Sequence, residues 1–140
     1  MPALKTLPLA VLVLAATVGA QAAPAPSEMK TIVDPASNTL FAVGGEVDPS
    51  NGPDAAKVPA ARWAEAGAAA AKLQAVSAHL QQPGQAKDQG PWMVFAKAMA
   101  KQSADAEAAV AAHDGAKLAQ AANDLGDTCS GCHAKYKPKS

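Results

Sequence analysis

Apolar residues downstream of residue 27 recur three and four positions apart, which is the pattern of amphipathic α-helices. In the first such segment they are Met29, Ile32, Val33, Leu40 and Val43. Pro35 lies inside this segment. Because proline lacks an amide donor and clashes with the preceding turn, we expect a kink or break between Thr31 and Pro35. The Gly44-Gly45 pair is predicted to end the helix.

Three further helices follow a loop of residues 46–57 that is rich in Pro, Gly, Asp and Asn. The second helix is predicted to begin near Pro59 and to stop at Gln82-Pro83-Gly84. The third is predicted from Pro91 to a short break at residues 113–115, and the fourth to stop before Pro138. The predicted inward positions of the second helix are Trp63, Ala66, Ala70, Leu73, Ser77 and Leu80. Those of the third helix are Trp92, Phe95, Met99, Ala106 and Val110. Those of the fourth helix are Leu118, Ala122, Leu125, Cys129, Cys132 and Tyr136. Such heptad-like spacing with short connections predicts an all-α fold, an antiparallel, left-handed four-helix bundle.

The first 22 residues have the features of a cleaved secretory signal peptide. Lys5 provides the positive charge, residues 7–18 form an apolar run, and Ala20-Gln21-Ala22 offers small residues at a cleavage site. The run is too short for a membrane span, and none is predicted for the mature chain. We therefore expect residues 1–22 to be removed and residues 23–140 to form one exported, periplasmic domain.

Composition and charge argue against nucleic-acid binding and favour a bound prosthetic group. The chain has 12 basic and 12 acidic residues, with no basic cluster of the kind that nucleic acids require. Alanine is abundant, whereas there are only two Trp, two Phe and one Tyr. A core of such small side chains has little bulk, and a large prosthetic group would supply apolar volume that the side chains lack.

The most informative motif is Cys129-Ser130-Gly131-Cys132-His133, a C-x-x-C-H sequence of the kind that attaches c-type haem. Residues three and four apart share one helix face. Two thiols one turn apart can therefore form thioether bonds with the two haem vinyl groups, and His133 can present an imidazole nitrogen to the iron as the proximal ligand. Ser130 and Gly131 are small enough for the macrocycle to approach the backbone.

Three other uses of the same residues compete with haem attachment. An exported protein favours a disulfide, but a C-x-x-C disulfide within one helix constrains very little. A thioredoxin-like redox pair requires a strand–helix fold, and the sequence predicts no strand. Structural zinc prefers four ligands, and the sequence offers no second ligand pair.

The chain resembles the class II c-type cytochromes, the group of cytochrome c′ and the low-spin cytochromes c556. The resemblance is in the overall helical architecture and is sharp over residues 129–137, Cys-Ser-Gly-Cys-His-Ala-Lys-Tyr-Lys, close to the C-terminus. It implies a four-helix bundle with one covalently bound haem c on the C-terminal helix. It also allows a homodimer through the first two helices.

The second axial ligand would decide the function. In the family this position lies on the first helix and is Met in the c556-like members, so the resemblance makes Met29 the candidate distal iron ligand. Thioether ligation raises the reduction potential and suits electron transfer. If Leu40 or Phe41 covers the iron instead, the iron is five-coordinate and can bind NO or CO. The rival ligands are Met93, Met99, His79 and His113.

We therefore expect a mono-haem periplasmic electron carrier that exchanges electrons with redox partner proteins and receives its haem from the attachment machinery. It is not expected to be an enzyme, because no nucleophile–base pair and no group of carboxylates lies near the motif. The alternatives are a gas-binding protein of the cytochrome c′ kind and a haem-free helical protein with a local disulfide.

Overall fold

The computed structural model describes residues 28–138. The predicted signal peptide, residues 1–22, lies outside the described residues. Within them the chain is helical and contains no strand. The four main helices are α1 (Asp34–Val47), α2 (Ala60–Leu80), α3 (Pro91–Ala112) and α4 (Gly115–Tyr136). A π-helical segment, Met29–Val33, precedes α1, and two 3-10 turns, Pro49–Asn51 and Pro53–Lys57, connect α1 to α2.

The four helices pack against one another in a closed ring. Helix α1 contacts α2 and α4, and α3 contacts the other side of both α2 and α4. The prediction of four packed helices is thus confirmed. The fully buried positions are mostly aliphatic, including Leu40, Val43, Leu73, Leu118 and Leu125. Alanines make up much of the rest of the core, together with Trp63, Trp92 and Met99.

The predicted inward stripe of α2 is confirmed, since all six of its positions are buried. In α3 the predicted positions Trp92, Met99 and Ala106 are buried, whereas Phe95 and Val110 are half-buried. In α4 the predicted positions Leu118, Ala122 and Leu125 are buried, whereas the two cysteines that follow them are half-buried. The C-terminal part of α4 therefore lies at an opening of the core.

A kink or break was expected between Thr31 and Pro35. The chain does not break there; a π turn, Met29–Val33, lies at this position and α1 follows directly. The prediction that Gly44-Gly45 ends the helix is wrong, because α1 runs to Val47. A helical glycine costs only about 1 kcal/mol relative to alanine, so packing can override it. A Cβ at Gly44 would lie 2.9 Å from the Ala122 Cβ, so this glycine lets α1 and α4 approach closely.

The connection between α3 and α4 is tight. His113 has a left-handed backbone, with φ 51°, and the Asp114 side chain accepts a hydrogen bond from the Lys117 amide at 3.0 Å. Only two residues separate the helices, which keeps α4 beside α3 along its length. Because the connection is short, the position of the C-x-x-C-H motif on α4 determines which part of α3 it lies beside.

No helix among residues 28–138 combines the length and the apolar character that crossing a bilayer would need.

Candidate functional site

A cleft at one end of the helical ring contains the four residues that the sequence selected for haem binding. Met29 from the π segment lies in its wall together with Cys129, Cys132 and His133 from α4. The remaining wall is almost entirely carbon, contributed by Val33, Leu80, Trp92, Phe95, Ala96, Met99 and Thr128. Residues separated by a hundred positions thus meet at one site.

The two cysteines lie one turn apart on α4, and both are free thiols. Burial raises the pKa of both, and the neighbouring Cys132 adds to the effect at Cys129. Lys87 opposes the rise at Cys132. A thiol–disulfide redox pair works through a thiolate of lowered pKa. The shift here is in the opposite direction and disfavours that use of the motif.

His133 lies at the mouth of the cleft, and its side chain is exposed. Its carbonyl accepts the Lys137 amide at 3.0 Å, which closes the last turn of α4. Met29, in contrast, is half-buried and packs against the core. The cleft therefore has an imidazole on its α4 side and a thioether on the π segment, with apolar side chains between them.

Phe95 occupies the space beside the motif. A Cβ built on Gly131 would lie 2.9 Å from the Phe95 ring, so only glycine permits this contact without a shift of the ring. The free interior of the cleft is about 50 Å³, far below the ~300–1,000 Å³ of typical cofactor sites. The donor set suits haem c, and the macrocycle would need more space than the packed side chains leave free.

The end of α4 is tied to the loop before α3 through Asp88 and Tyr136. One Asp88 oxygen accepts the Gly90 amide at 2.9 Å and the Trp92 amide at 3.1 Å, and the other accepts the Tyr136 hydroxyl. The Tyr136 ring packs edge-on against Trp92 at 5.1 Å, and the Trp92 indole donates to the Leu80 carbonyl at 2.8 Å. These contacts hold the C-x-x-C-H turn against α2 and α3.

The Asp88–Tyr136 contact also shifts both ionisations. The tyrosine hydrogen bond lowers the pKa of Asp88, and the two backbone amides add to this effect. Burial, followed by the contact with the carboxylate, raises the pKa of Tyr136 to about 12. The bond therefore stabilises the fold above the ordinary carboxyl pKa of about 4, and it is lost as the pH rises from about 10 towards the raised value.

Tyr136→Phe is expected to lower the melting temperature near neutral pH, since it removes the hydroxyl that Asp88 accepts. The difference in melting temperature from the parent chain should shrink below pH ~4, where Asp88 becomes protonated, and above pH ~10, where Tyr136 begins to ionise. Circular dichroism melts across this pH range measure it. Lys97→Ala, which changes an exposed lysine of α3 that has no described contact with Asp88 or Tyr136, is the control. Equal melting temperatures of the parent and Tyr136→Phe at neutral pH would contradict the expectation.

Three of the four rival ligands, His79, His113 and Met93, lie outside the cleft wall. His79 Nδ1 lies 3.7 Å from a Glu28 oxygen, and the His113 ring stacks on Trp63 with centroids 4.7 Å apart. Met93 is half-buried outside the cleft wall, whereas Met99 lies in the wall and is buried in the core. Met99 is therefore the rival closest to the motif.

Among residues 28–138, no three His, Cys, Asp or Glu side chains are grouped as metal ligands. Helices α1 and α4 also border a larger open groove of about 440 Å³ on the outside of the ring. Its walls include Phe41, Asp48, Asn123 and Asp127. It contains no sulfur or imidazole, so the chemistry of the C-x-x-C-H motif lies elsewhere, in the smaller cleft.

Sequence reasoning missed several residues of the site. Asp88 precedes a predicted helix start, which is a position typical of capping carboxylates. Nothing in the sequence pairs it with Tyr136, 48 residues away. Thr128, which accepts a 2.8 Å hydrogen bond from the Gln102 side chain, likewise gave no sequence signal.

In comparisons with known proteins, the chain matched no family model, no curated protein and no solved structure.

Proposed function

We propose that this protein is a periplasmic mono-haem c-type cytochrome that carries electrons. One observation supports this above the others: the C-x-x-C-H turn and Met29 line the same apolar cleft. The bundle would be antiparallel and left-handed, with the haem on α4. Residues 1–22 would direct export.

Each residue of the cleft has a distinct part in this proposal. Cys129 and Cys132 provide the thiols for two thioether bonds, His133 provides the proximal imidazole, and Met29 provides the distal thioether. A haem held in this way supplies an iron that alternates between the ferrous and ferric states. Leu80, Trp92 and Phe95 would exclude water from the haem. An apolar site disfavours the additional positive charge of the ferric state, so it would raise the reduction potential.

A gas-binding protein is the second candidate. Apart from Met29, Met99 and the motif itself, the cleft is lined by carbon side chains and Thr128. If Met29 does not ligate the iron, an apolar distal face remains, which would admit NO or CO and hold no charged ligand. The two candidate functions therefore differ in whether the Met29 sulfur binds the iron.

The deciding experiment is the visible spectrum of the chain exported together with the haem-attachment machinery. It is recorded in the ferric state and in the ferrous state with CO. For an electron carrier we expect a low-spin spectrum with a Met-to-iron charge-transfer band and no change with CO. Met29→Ala is expected to abolish the band and to make the ferrous protein bind CO.

Met93→Ala is the matched control, because Met93 is a half-buried methionine outside the cleft wall. It should leave both the band and the CO response unchanged. A high-spin parent spectrum that shifts with CO would favour the gas-binding protein. Absence of a Soret band would overturn the haem proposal as a whole.

A further inference from the structure

Three exposed lysines near the C-x-x-C-H turn, Lys87, Lys135 and Lys137, are called the lysine cluster here. None of them forms an ion pair with a described residue. The Lys and Arg side chains that do pair with carboxylates lie at other positions and are Lys57, Arg62, Lys101 and Lys117. Exposed lysines without an ion pair also occur elsewhere, so the position of these three sets them apart.

Lys87 reaches the wall of the cleft from the loop before α3. Its Nζ lies 5.8 Å from the centroid of the Trp92 ring, and Trp92 lines the cleft. Its charge also lowers the pKa of the Cys132 thiol, against the larger effect of burial. Because such an effect weakens with distance, the ammonium group is close to the motif.

Lys135 and Lys137 approach the motif from α4 itself. The Lys135 Nζ lies 5.9 Å from the centroid of the Tyr136 ring, which packs edge-on against Trp92. The Lys137 amide donates to the His133 carbonyl at 3.0 Å, so this lysine follows the exposed motif histidine by one turn. The cluster therefore gathers at the end of α4 that carries the motif.

The carboxylate that contacts this end of α4 is occupied by other donors. Asp88 accepts the Gly90 and Trp92 amides on one oxygen and the Tyr136 hydroxyl on the other. The charge of Lys135 contributes to its lowered pKa, but the two form no ion pair. One negative charge thus adjoins three positive ones, although the whole chain has a formal net charge of 0.

An exposed apolar side chain lies on the first turn of α3, which also carries Trp92. Val94 is 65% exposed, and it precedes Phe95 of the cleft wall. Protein–protein interfaces combine an apolar centre with a polar rim. Val94 and the lysine cluster provide both parts.

We propose that the lysine cluster and Val94 form the surface on which an acidic redox protein docks. The inference deepens the proposed function and rests on it, because an electron carrier meets its partners close to the residues that hold its haem. Such encounters have small interfaces and are steered by opposite charges. Recognition of anionic lipids uses larger clusters, of about 4–8 basic residues.

Electron transfer to small complexes of opposite charge tests the surface in the haem-loaded protein. One electron passes from the ferrous haem to hexacyanoferrate(III), an anion, or to tris(phenanthroline)cobalt(III), a cation, and the haem becomes ferric. With rising ionic strength we expect the rate with the anion to fall and the rate with the cation to rise. Lys87→Gln/Lys135→Gln/Lys137→Gln should slow the anion reaction about tenfold at low ionic strength.

Lys57→Gln/Lys72→Gln/Lys117→Gln is the control. It removes the same charge from exposed lysines that have no described contact with the cleft wall, and it should keep the parental salt dependence. Parental rates and salt dependence in the cluster variant would overturn the proposal, as would equal changes in the two triple variants.

Acidic peptides test docking in the exported chain, with or without haem. The probes are a peptide of eight aspartates and the same peptide with two leucines at its centre. In the ¹⁵N-labelled parent we expect both to shift the backbone amides of the cluster and of Val94, and the leucines to strengthen binding. The cluster variant should bind neither peptide, whereas Val94→Ser should lose only the gain from the leucines.

The outcomes separate the docking surface from the proposed function. Peptide binding that the cluster variant retains, or a leucine gain that Val94→Ser retains, contradicts the assigned surface. Binding to phosphatidylglycerol vesicles but to neither peptide would replace it by a membrane contact. If the parent has no Soret band, the proposed function fails, and the peptide titrations still decide whether this surface binds acidic protein segments.

Discussion

The variant Cys129→Ala/Cys132→Ala is expected to lose all covalently attached haem. Both thiols are free and lie in the cleft wall, and a thioether bond needs a sulfur that alanine lacks. The measurement is haem staining of the denatured protein on a gel, together with the alkaline pyridine spectrum of the same sample. We expect a strong signal for the parent chain and background for the double variant.

Ser130→Ala is the control for this experiment. Ser130 lies between the cysteines, is exposed and lines no part of the cleft, so the variant should retain the parental signal. Covalent haem on the double cysteine variant would contradict the assignment of these two residues. A parent chain without covalent haem, when exported with a functioning attachment system, would contradict the assignment of the cofactor.

Gly115→Ala is expected to destabilise the fold by about 1–3 kcal/mol or more, as overpacking does. A Cβ at this first residue of α4 would lie 2.1 Å from the Val47 carbonyl oxygen and 3.1 Å from its carbon. Both are backbone atoms, so α1 and α4 must separate. The free energy of unfolding, from urea titrations of the haem-free chain, measures the effect.

Gly45→Ala is the matched comparison and should change stability in the opposite direction. Gly45 lies inside α1, and a Cβ there would meet no described atom within 4 Å beyond its chain neighbours and the nearby backbone of α1. Alanine removes the entropic cost of a helical glycine, so we expect a gain of about 0.5–1 kcal/mol. If both variants change stability with the same sign, the close approach of α4 to the end of α1 is not as the structure has it.

The hydrophobic pattern was sufficient for most of the fold because amphipathic helices show a regular spacing along the chain. The limits of α2 and α3 and the buried stripe of α2 were predictable for this reason. The end of α1 was not, since Gly44-Gly45 has the local features of a stop. The close packing of Gly44 against Ala122, a residue of α4, offsets the poor helix propensity.

The sequence likewise predicted only part of the candidate site. The sequence alone determined the C-x-x-C-H chemistry, because its spacing is local to one helical turn and its donor atoms are fixed by residue type. Only the tertiary structure brought Met29 to the same cleft and joined Asp88 to Tyr136. Such contacts depend on the relative rotation and translation of packed helices, and no spacing along the chain encodes them.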